Sequence, residues 1–173
     1  MKPQVLFICL GNSCRSIMAE ALARHRFGDR LTAASAGLQP LGCVARETLT
    51  VLAEVGAPTA GLYSKGLEEI DLPTFRLLVN LTDYSLASRI PPSLQSRLLH
   101  RPVLDPYGGP LEVYRQARDA IQRLLLEETP PRCCSLLADE RERRVGFKPA
   151  STRLGPKGYS GWARPFSPDF SLA

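Results

Sequence analysis

Cys9 and Arg15 stand six residues apart in the run Cys9-Leu10-Gly11-Asn12-Ser13-Cys14-Arg15-Ser16. These residue types suit nucleophilic attack on a bound tetrahedral oxyanion. A cysteine thiolate attacks, and a guanidinium fork grips two oxygens of one phosphate-like group. The Ser16 hydroxyl can hydrogen-bond the sulfur and steady it when it must leave again. Gly11 and Asn12 tolerate the left-handed backbone that a tight loop needs. A loop of this kind running into a helix N-terminus turns successive backbone N–H groups inward, and the helix dipole reinforces that anion nest. The same positive field favours the thiolate form of Cys9. Leu10, Gly11, Asn12, Ser13, Cys14, Arg15 and Ser16 are therefore the candidate oxyanion-binding residues, around Cys9 as candidate nucleophile. Singly, Cys9 reads as a small apolar residue ending a strand and Ser16 as a helix cap. The combination reads differently. With 5 Cys in 173 residues, chance supplies only about 0.04 instances of Cys followed by Arg and Ser at this spacing.

A second group with chemistry to offer is Asp105, in the turn Asp105-Pro106-Tyr107-Gly108-Gly109. Cleaving a phosphate ester needs a general acid, because an alkoxide or phenolate leaves poorly unless protonated. A carboxylate following a strand lies on the same sheet edge as the Cys9 loop, where open parallel sheets bind ligands. Asp-Pro is also a common turn and helix-start device, and it is the company of the Cys9 loop that argues for catalysis. Tyr107 is placed either to flank an aromatic substrate or simply to lie exposed in the turn.

Positioning these groups requires strands that end in loops, and the pattern supplies them. Apolar runs alternate with amphipathic stretches, as in a parallel α/β sheet. Strands are expected at Val5–Ile8, Leu31–Ser35, Phe75–Leu81 and Leu98–Leu104, the last weakened by Pro102. Helices are expected at Ser16–Phe27, Val44–Val55 (with Gly56 just past its end), Asp83–Ile90 and Leu111–Leu126. Residues 1–128 read as one domain. Residues 129–173 carry 6 of the 15 prolines and show no sustained period, so they read as an extended or disordered tail.

Composition removes several classes. Apolar residues make up 44% and charged residues 23%, as in a globular protein. Of the net charge of +5, the tail with 8 basic and 4 acidic residues carries +4, so the body shows no excess calling for nucleic acid. No apolar run approaches the roughly 20 residues that cross a bilayer, and the N-terminus lacks the form of a signal peptide. An odd count of five cysteines without framework spacing suits a reducing cytoplasm. With no Cys-x-x-Cys and two His, neither a metal nor a cofactor is expected.

Cys9-Leu-Gly-Asn-Ser-Cys-Arg-Ser-Ile-Met-Ala-Glu20 after an apolar strand resembles the low-molecular-weight protein tyrosine phosphatases, whose superfamily includes the thioredoxin-coupled arsenate reductases. The likeness continues through Ser35-Ala36-Gly37 and Asp105-Pro106-Tyr107, over roughly residues 4–128. It implies a three-layer α/β sandwich with a four-stranded parallel sheet of order 2-1-3-4 and helices on both faces. It also implies that Cys9 forms a phosphocysteine, that Arg15 binds the phosphoryl oxygens, and that Asp105 protonates the leaving group and then activates water. The expected partner is a phosphorylated protein or small phosphate ester of phosphotyrosine type.

Arsenate reduction is the alternative use of the same cradle, with arsenate as substrate and an external thiol as reductant. It needs further cysteines to carry oxidising equivalents away from Cys9. The resembling reductases keep them near the end of the third strand, and Val79–Ile90 contains none, which favours the phosphatase. The spelling Asn-Ser-Cys-Arg-Ser is closer to the reductases, and Leu62 stands where many family phosphatases have a His. Cys14 lies close enough in sequence to Cys9 to trap an oxidised sulfur as a disulfide. A non-catalytic phosphate-binding module would be expected to have lost Cys9, Arg15 or Asp105, and all three are present.

Overall fold

The run Val5-Leu6-Phe7-Ile8 is apolar at every position because it lies in the middle of a parallel sheet covered on both faces. In the computed structural model, which describes residues 1–127, this run is the centre of β1 (Gln4–Cys9). The chain continues through α1 (Arg15–Phe27), β2 (Thr32–Gly37), α2 (Arg46–Ala53), β3 (Leu77–Asn80) and β4 (Leu98–His100) to α3, residues 111–127. All strand pairs are parallel and the order is β2-β1-β3-β4.

Side chains alternate across the sheet. Val5, Phe7 and Cys9 face a core shared with Met18 and Leu22 of α1, Val51 and Leu52 of α2, and Tyr114, Ile121 and Leu125 of α3. Leu6, Ile8 and Leu78 face the opposite core with Phe75, Leu86, Ile90 and Leu94. The second face is covered by 3-10 turns at Leu67–Glu69, Leu72–Thr74 and Pro92–Arg97. The expected sandwich with sheet order 2-1-3-4 is therefore the observed one.

Two local expectations need correction. Residues 83–90 form turns rather than a helix. The Asn80 side chain accepts the Thr82 N–H and donates to the Tyr84 carbonyl at 2.7 Å, giving this backbone partners that a helix would otherwise supply. Leu86 and Ile90 within this segment are buried. The fourth strand is shorter than expected, Leu98–His100, although beyond it the Arg101 N–H still donates to the Asn80 carbonyl at 2.8 Å and the Val103 N–H to the Leu81 carbonyl at 3.1 Å. The tail expected over 129–173 lies outside the described residues. No helix among the described residues is long and apolar enough to cross a membrane.

The register brings Cys9 beside Gly37 at the sheet's carboxyl edge. The segment after β2 then runs along the loop after β1: Leu38 N–H donates to the Cys9 carbonyl, Gln39 to Leu10, Leu41 to Gly11 and Ala45 to Ser13, at 2.8–3.2 Å. A Cβ on Gly37 would lie 2.9 Å from the Leu10 oxygen and from the Asn12 Cβ, so this approach requires glycine.

Candidate active site

Residues 10–14 form a tight loop that enters α1 at Arg15. Asn12 adopts a left-handed backbone, φ 45°, the turn expected of this position. Its N–H consequently points back at the sulfur, 3.3 Å from Cys9 Sγ. Ser16 Oγ lies 2.9 Å from the same sulfur. The Cys9 sulfur thus has a backbone donor and a hydroxyl beside it, both able to stabilise negative charge.

Arg15 is buried although it is charged. Its Nη1 donates to the carbonyls of Val103 at 3.1 Å and Leu81 at 3.4 Å, which hold the guanidinium plane. Its Nη2 pairs with Asp105 Oδ2 at 2.5 Å, while Nε has no partner among the described residues. A buried guanidinium with an unpaired donor is set to receive an acceptor group. Asp105 also accepts from the Tyr107 N–H at 3.3 Å, fixing the turn that carries it, and its side chain is 44% exposed.

These groups line one cleft of about 250 Å³, with Cys9, Ser13, Cys14, Arg15 and Asp105 on its polar side. Leu41 and Tyr107, both substantially exposed, are its apolar walls, and Gln39 completes it. Gly11 lies directly under the Leu41 wall, and a Cβ there would meet the Leu41 side chain at 2.9 Å. Leu10 lies on the cleft edge. Of the residues that sequence reasoning singled out, Cys9, Leu10, Gly11, Ser13, Cys14, Arg15 and Asp105 line the cleft, whereas Asn12 and Ser16 are fully buried and do not line it. Among the described residues no group of three or more His, Cys, Asp or Glu is placed to hold a metal.

Cys14 has two faces. It reaches the cleft, yet it is packed in the core with its sulfur 3.9 Å from the Tyr114 hydroxyl. Burial pushes its thiol up, outweighing hydrogen bonds from Thr48 and Tyr114 that act the other way. Tyr114 itself is pushed up to about 12, by burial first and by the neighbouring Cys14 second.

Sequence reasoning passed over a buried polar group behind the loop. Asn12 Nδ2 donates to Ser16 Oγ at 2.7 Å and to Ser35 Oγ at 2.9 Å, and Asn12 Oδ1 accepts the Lys65 N–H at 2.8 Å. Ser35 Oγ donates to Glu20 Oε2 at 2.5 Å, and Glu20 pairs with Arg24 and with Lys65 Nζ. Leu62 packs against the core. The available signal was Glu20, a charged residue four positions after Ser16 in an otherwise apolar stretch of helix.

Residues 4–128 match the family described as low molecular weight phosphotyrosine protein phosphatase. The chain belongs to that family. This phosphatase-family chain is 32% identical over 137 residues to the protein-arginine-phosphatase of Geobacillus stearothermophilus, spanning 72% of its own length and 93% of the relative's. It is 31% identical over 123 residues to an arsenate reductase of Staphylococcus epidermidis, spanning 70% and 92%. Among solved structures, the Geobacillus stearothermophilus arginine phosphatase superposes with a TM-score of 0.65 at 26% identity, covering 82% of this chain and 96% of that one. An arsenate reductase in its phosphate-binding state superposes at 0.63 and 27% identity, covering 80% and 98%. Membership of this low-molecular-weight phosphatase family carries cysteine phosphatase-type chemistry with it.

Proposed function

We propose that this protein hydrolyses phosphorylated protein side chains of phosphotyrosine type through a phosphocysteine on Cys9. The observation that carries the reading is the opposition, across one cleft, of a sulfur flanked by Ser16 and the Asn12 N–H and an Arg15 with an unpaired Nε beside Asp105. In the first step the Cys9 thiolate attacks phosphorus, the S–P bond forms and the bond to the leaving oxygen breaks. Arg15 and the loop N–H groups neutralise the equatorial oxygens. Asp105 turns from Arg15 and gives its proton to the leaving group. In the second step the Asp105 carboxylate takes a proton from water, whose oxygen attacks phosphorus, and sulfur departs as a thiolate steadied by Ser16. The walls Leu41 and Tyr107 suit a planar side chain, and both a phenyl ring and a guanidinium meet that requirement. The second planar group is relevant because one relative is named a protein-arginine-phosphatase.

Reduction of arsenate is the weaker reading. Among the described residues the other free thiols are Cys14, buried, and Cys43, exposed on the segment after β2, with none after β3. These free thiols suit a reducing, cytoplasmic setting. Purified protein assayed side by side on an aryl phosphate, a phosphoarginine peptide, and arsenate with thioredoxin or glutathione tests the proposal. Phosphate release that is lost in Cys9→Ser, with no arsenite formed, is the expected result. Thiol-dependent arsenite formation without phosphate-ester hydrolysis would overturn it.

A further inference from the structure

The wall residue Leu41 stands in a lip of chain with few backbone ties of its own. Its side chain is 48% exposed, and Gly42 after it takes the left-handed backbone, φ 75°. Pro40 before it has no N–H to give. The Gln39 N–H is bonded to the Leu10 carbonyl, and beyond Leu41 the next backbone bond from this segment to the loop is that of Ala45 to Ser13. A leucine on an untied lip would exchange among rotamers, and a ligand would have to order it on binding.

One side chain from a third segment ties the lip down. Ser64 Oγ accepts the Gly42 N–H at 3.2 Å and donates its single hydrogen to the Gly11 carbonyl, also at 3.2 Å. The same carbonyl accepts the Leu41 N–H at 3.0 Å, so Gly11, Leu41, Gly42 and Ser64 close a small ring of hydrogen bonds. This ring seats the Leu41 side chain directly over Gly11. Ser64 is a firm post because its chain neighbours are held independently of the lip. Leu62 packs against the core, and the buried Lys65 gives its N–H to Asn12 Oδ1 at 2.8 Å. The Lys65 carbonyl in turn accepts the Gly37 N–H at 2.9 Å.

We propose that Ser64 is a positioning residue that sets substrate specificity. Its hydroxyl staples the Leu41–Gly42 lip to Gly11, and so makes the leucine a rigid surface for the planar group of the phosphorylated side chain. The inference deepens the reading of this cleft as a phosphatase site and rests on it. It concerns the part of the substrate beyond phosphorus. Cys9, Arg15 and the loop N–H groups act on the phosphoryl group, which inorganic phosphate presents alone. Loss of the staple should thus raise KM for an ester with a planar group and leave kcat and phosphate affinity alone.

The test compares full-length wild type with Ser64→Ala, Leu41→Ala and the double variant, and with Ser64→Thr as the conservative variant. Three quantities are read: kcat and KM on phenyl phosphate, the inhibition constant of inorganic phosphate, and the solvent exchange rate of the Gly42 amide hydrogen by NMR. Ser64→Ala should raise KM about 2- to 10-fold, the worth of one neutral hydrogen bond, with kcat and phosphate inhibition unchanged. Ser64→Thr keeps the hydroxyl and should retain more of the affinity than Ser64→Ala. In the Leu41→Ala background, Ser64→Ala should add nothing to KM, because no wall is left to hold. The Gly42 amide should exchange faster in Ser64→Ala by a similar factor, while the Leu38 and Gln39 amides keep their rates. A wild-type KM in Ser64→Ala, or a rise that is the same with and without Leu41, overturns the staple while leaving Cys9 as nucleophile. Activity persisting in Cys9→Ser, by contrast, removes the phosphatase reading and the specificity role with it. Unchanged Gly42 exchange in Ser64→Ala overturns the staple whatever the substrate.

Discussion

Replacing Asp105 with Asn should separate its proposed role as general acid from its pairing with Arg15. As general acid, Asp105 should contribute roughly 10²–10⁴ in rate where the leaving group is poor. As partner of Arg15, it occupies a donor that the phosphoryl group needs, with Nη2 2.5 Å from Oδ2. That pair joins a buried guanidinium to a carboxylate that is 44% exposed, so solvent screens it. An ion pair of this exposure is worth about 0.2–1 kcal/mol. Removing the competing charge should then tighten phosphate binding by a factor of about 1.4 to 5. Asp105→Asn should accordingly show a lower kcat together with a lower inhibition constant for inorganic phosphate. The kcat loss should be large for phenyl phosphate and much smaller for nitrophenyl phosphate, whose leaving group departs without a proton. Steady-state kinetics on both esters, with phosphate inhibition measured in each protein, reads both effects. Equal losses on the two esters would remove the general acid role, and weaker phosphate inhibition would show that Asp105 does not compete for Arg15.

Trapping of oxidised Cys9 by Cys14 should be slow at neutral pH and quicken as pH rises, because burial holds the Cys14 thiol up. The dithiothreitol-reversible fraction after peroxide should be larger at pH 9 than at pH 7, and Cys14→Ser should abolish that rise; a reversible fraction indifferent to pH or to Cys14 refutes the trap. Hydrogen bonds from Arg115 chiefly, with Arg118, hold the Glu54 carboxyl below the usual carboxylate range and tie α2 to α3. A carboxyl depressed by folding stabilises the native state above its unfolded pKa and loses that contribution as pH falls through the folded value. The melting-temperature gap between wild type and Glu54→Gln should therefore be steady near neutrality and close below about pH 4. A gap that stays constant into acid would contradict the assignment. Ending the chain after Glu128, where the family match stops, should leave aryl phosphatase turnover unchanged, and a marked loss would show that residues 129–173 serve the domain.

Sequence alone determined the sheet's central strand and the Cys9 loop. The reason is that each is encoded by neighbours in the chain. Val5–Ile8 is apolar throughout because a strand covered on both faces has no polar side. The residues from Cys9 to Ser16 carry their chemistry at fixed spacing within a single turn. Residues 83–90, expected as a helix, are turns because the Asn80 side chain bonds the backbone there. Spacing records which residues are apolar and not which side chain competes for the backbone. Only the tertiary structure decided which distant residues meet the loop. Leu41 becomes a cleft wall because the segment after β2 hydrogen-bonds along residues 9–13. Lys65 and Glu20 are 45 positions apart, and nothing local marks them as a buried pair. Their contact depends on sheet order and on the parallel bridge between Gly37 and Gly66. Charges are placed in a core by long-range packing, which supplies the partners that make their burial tolerable.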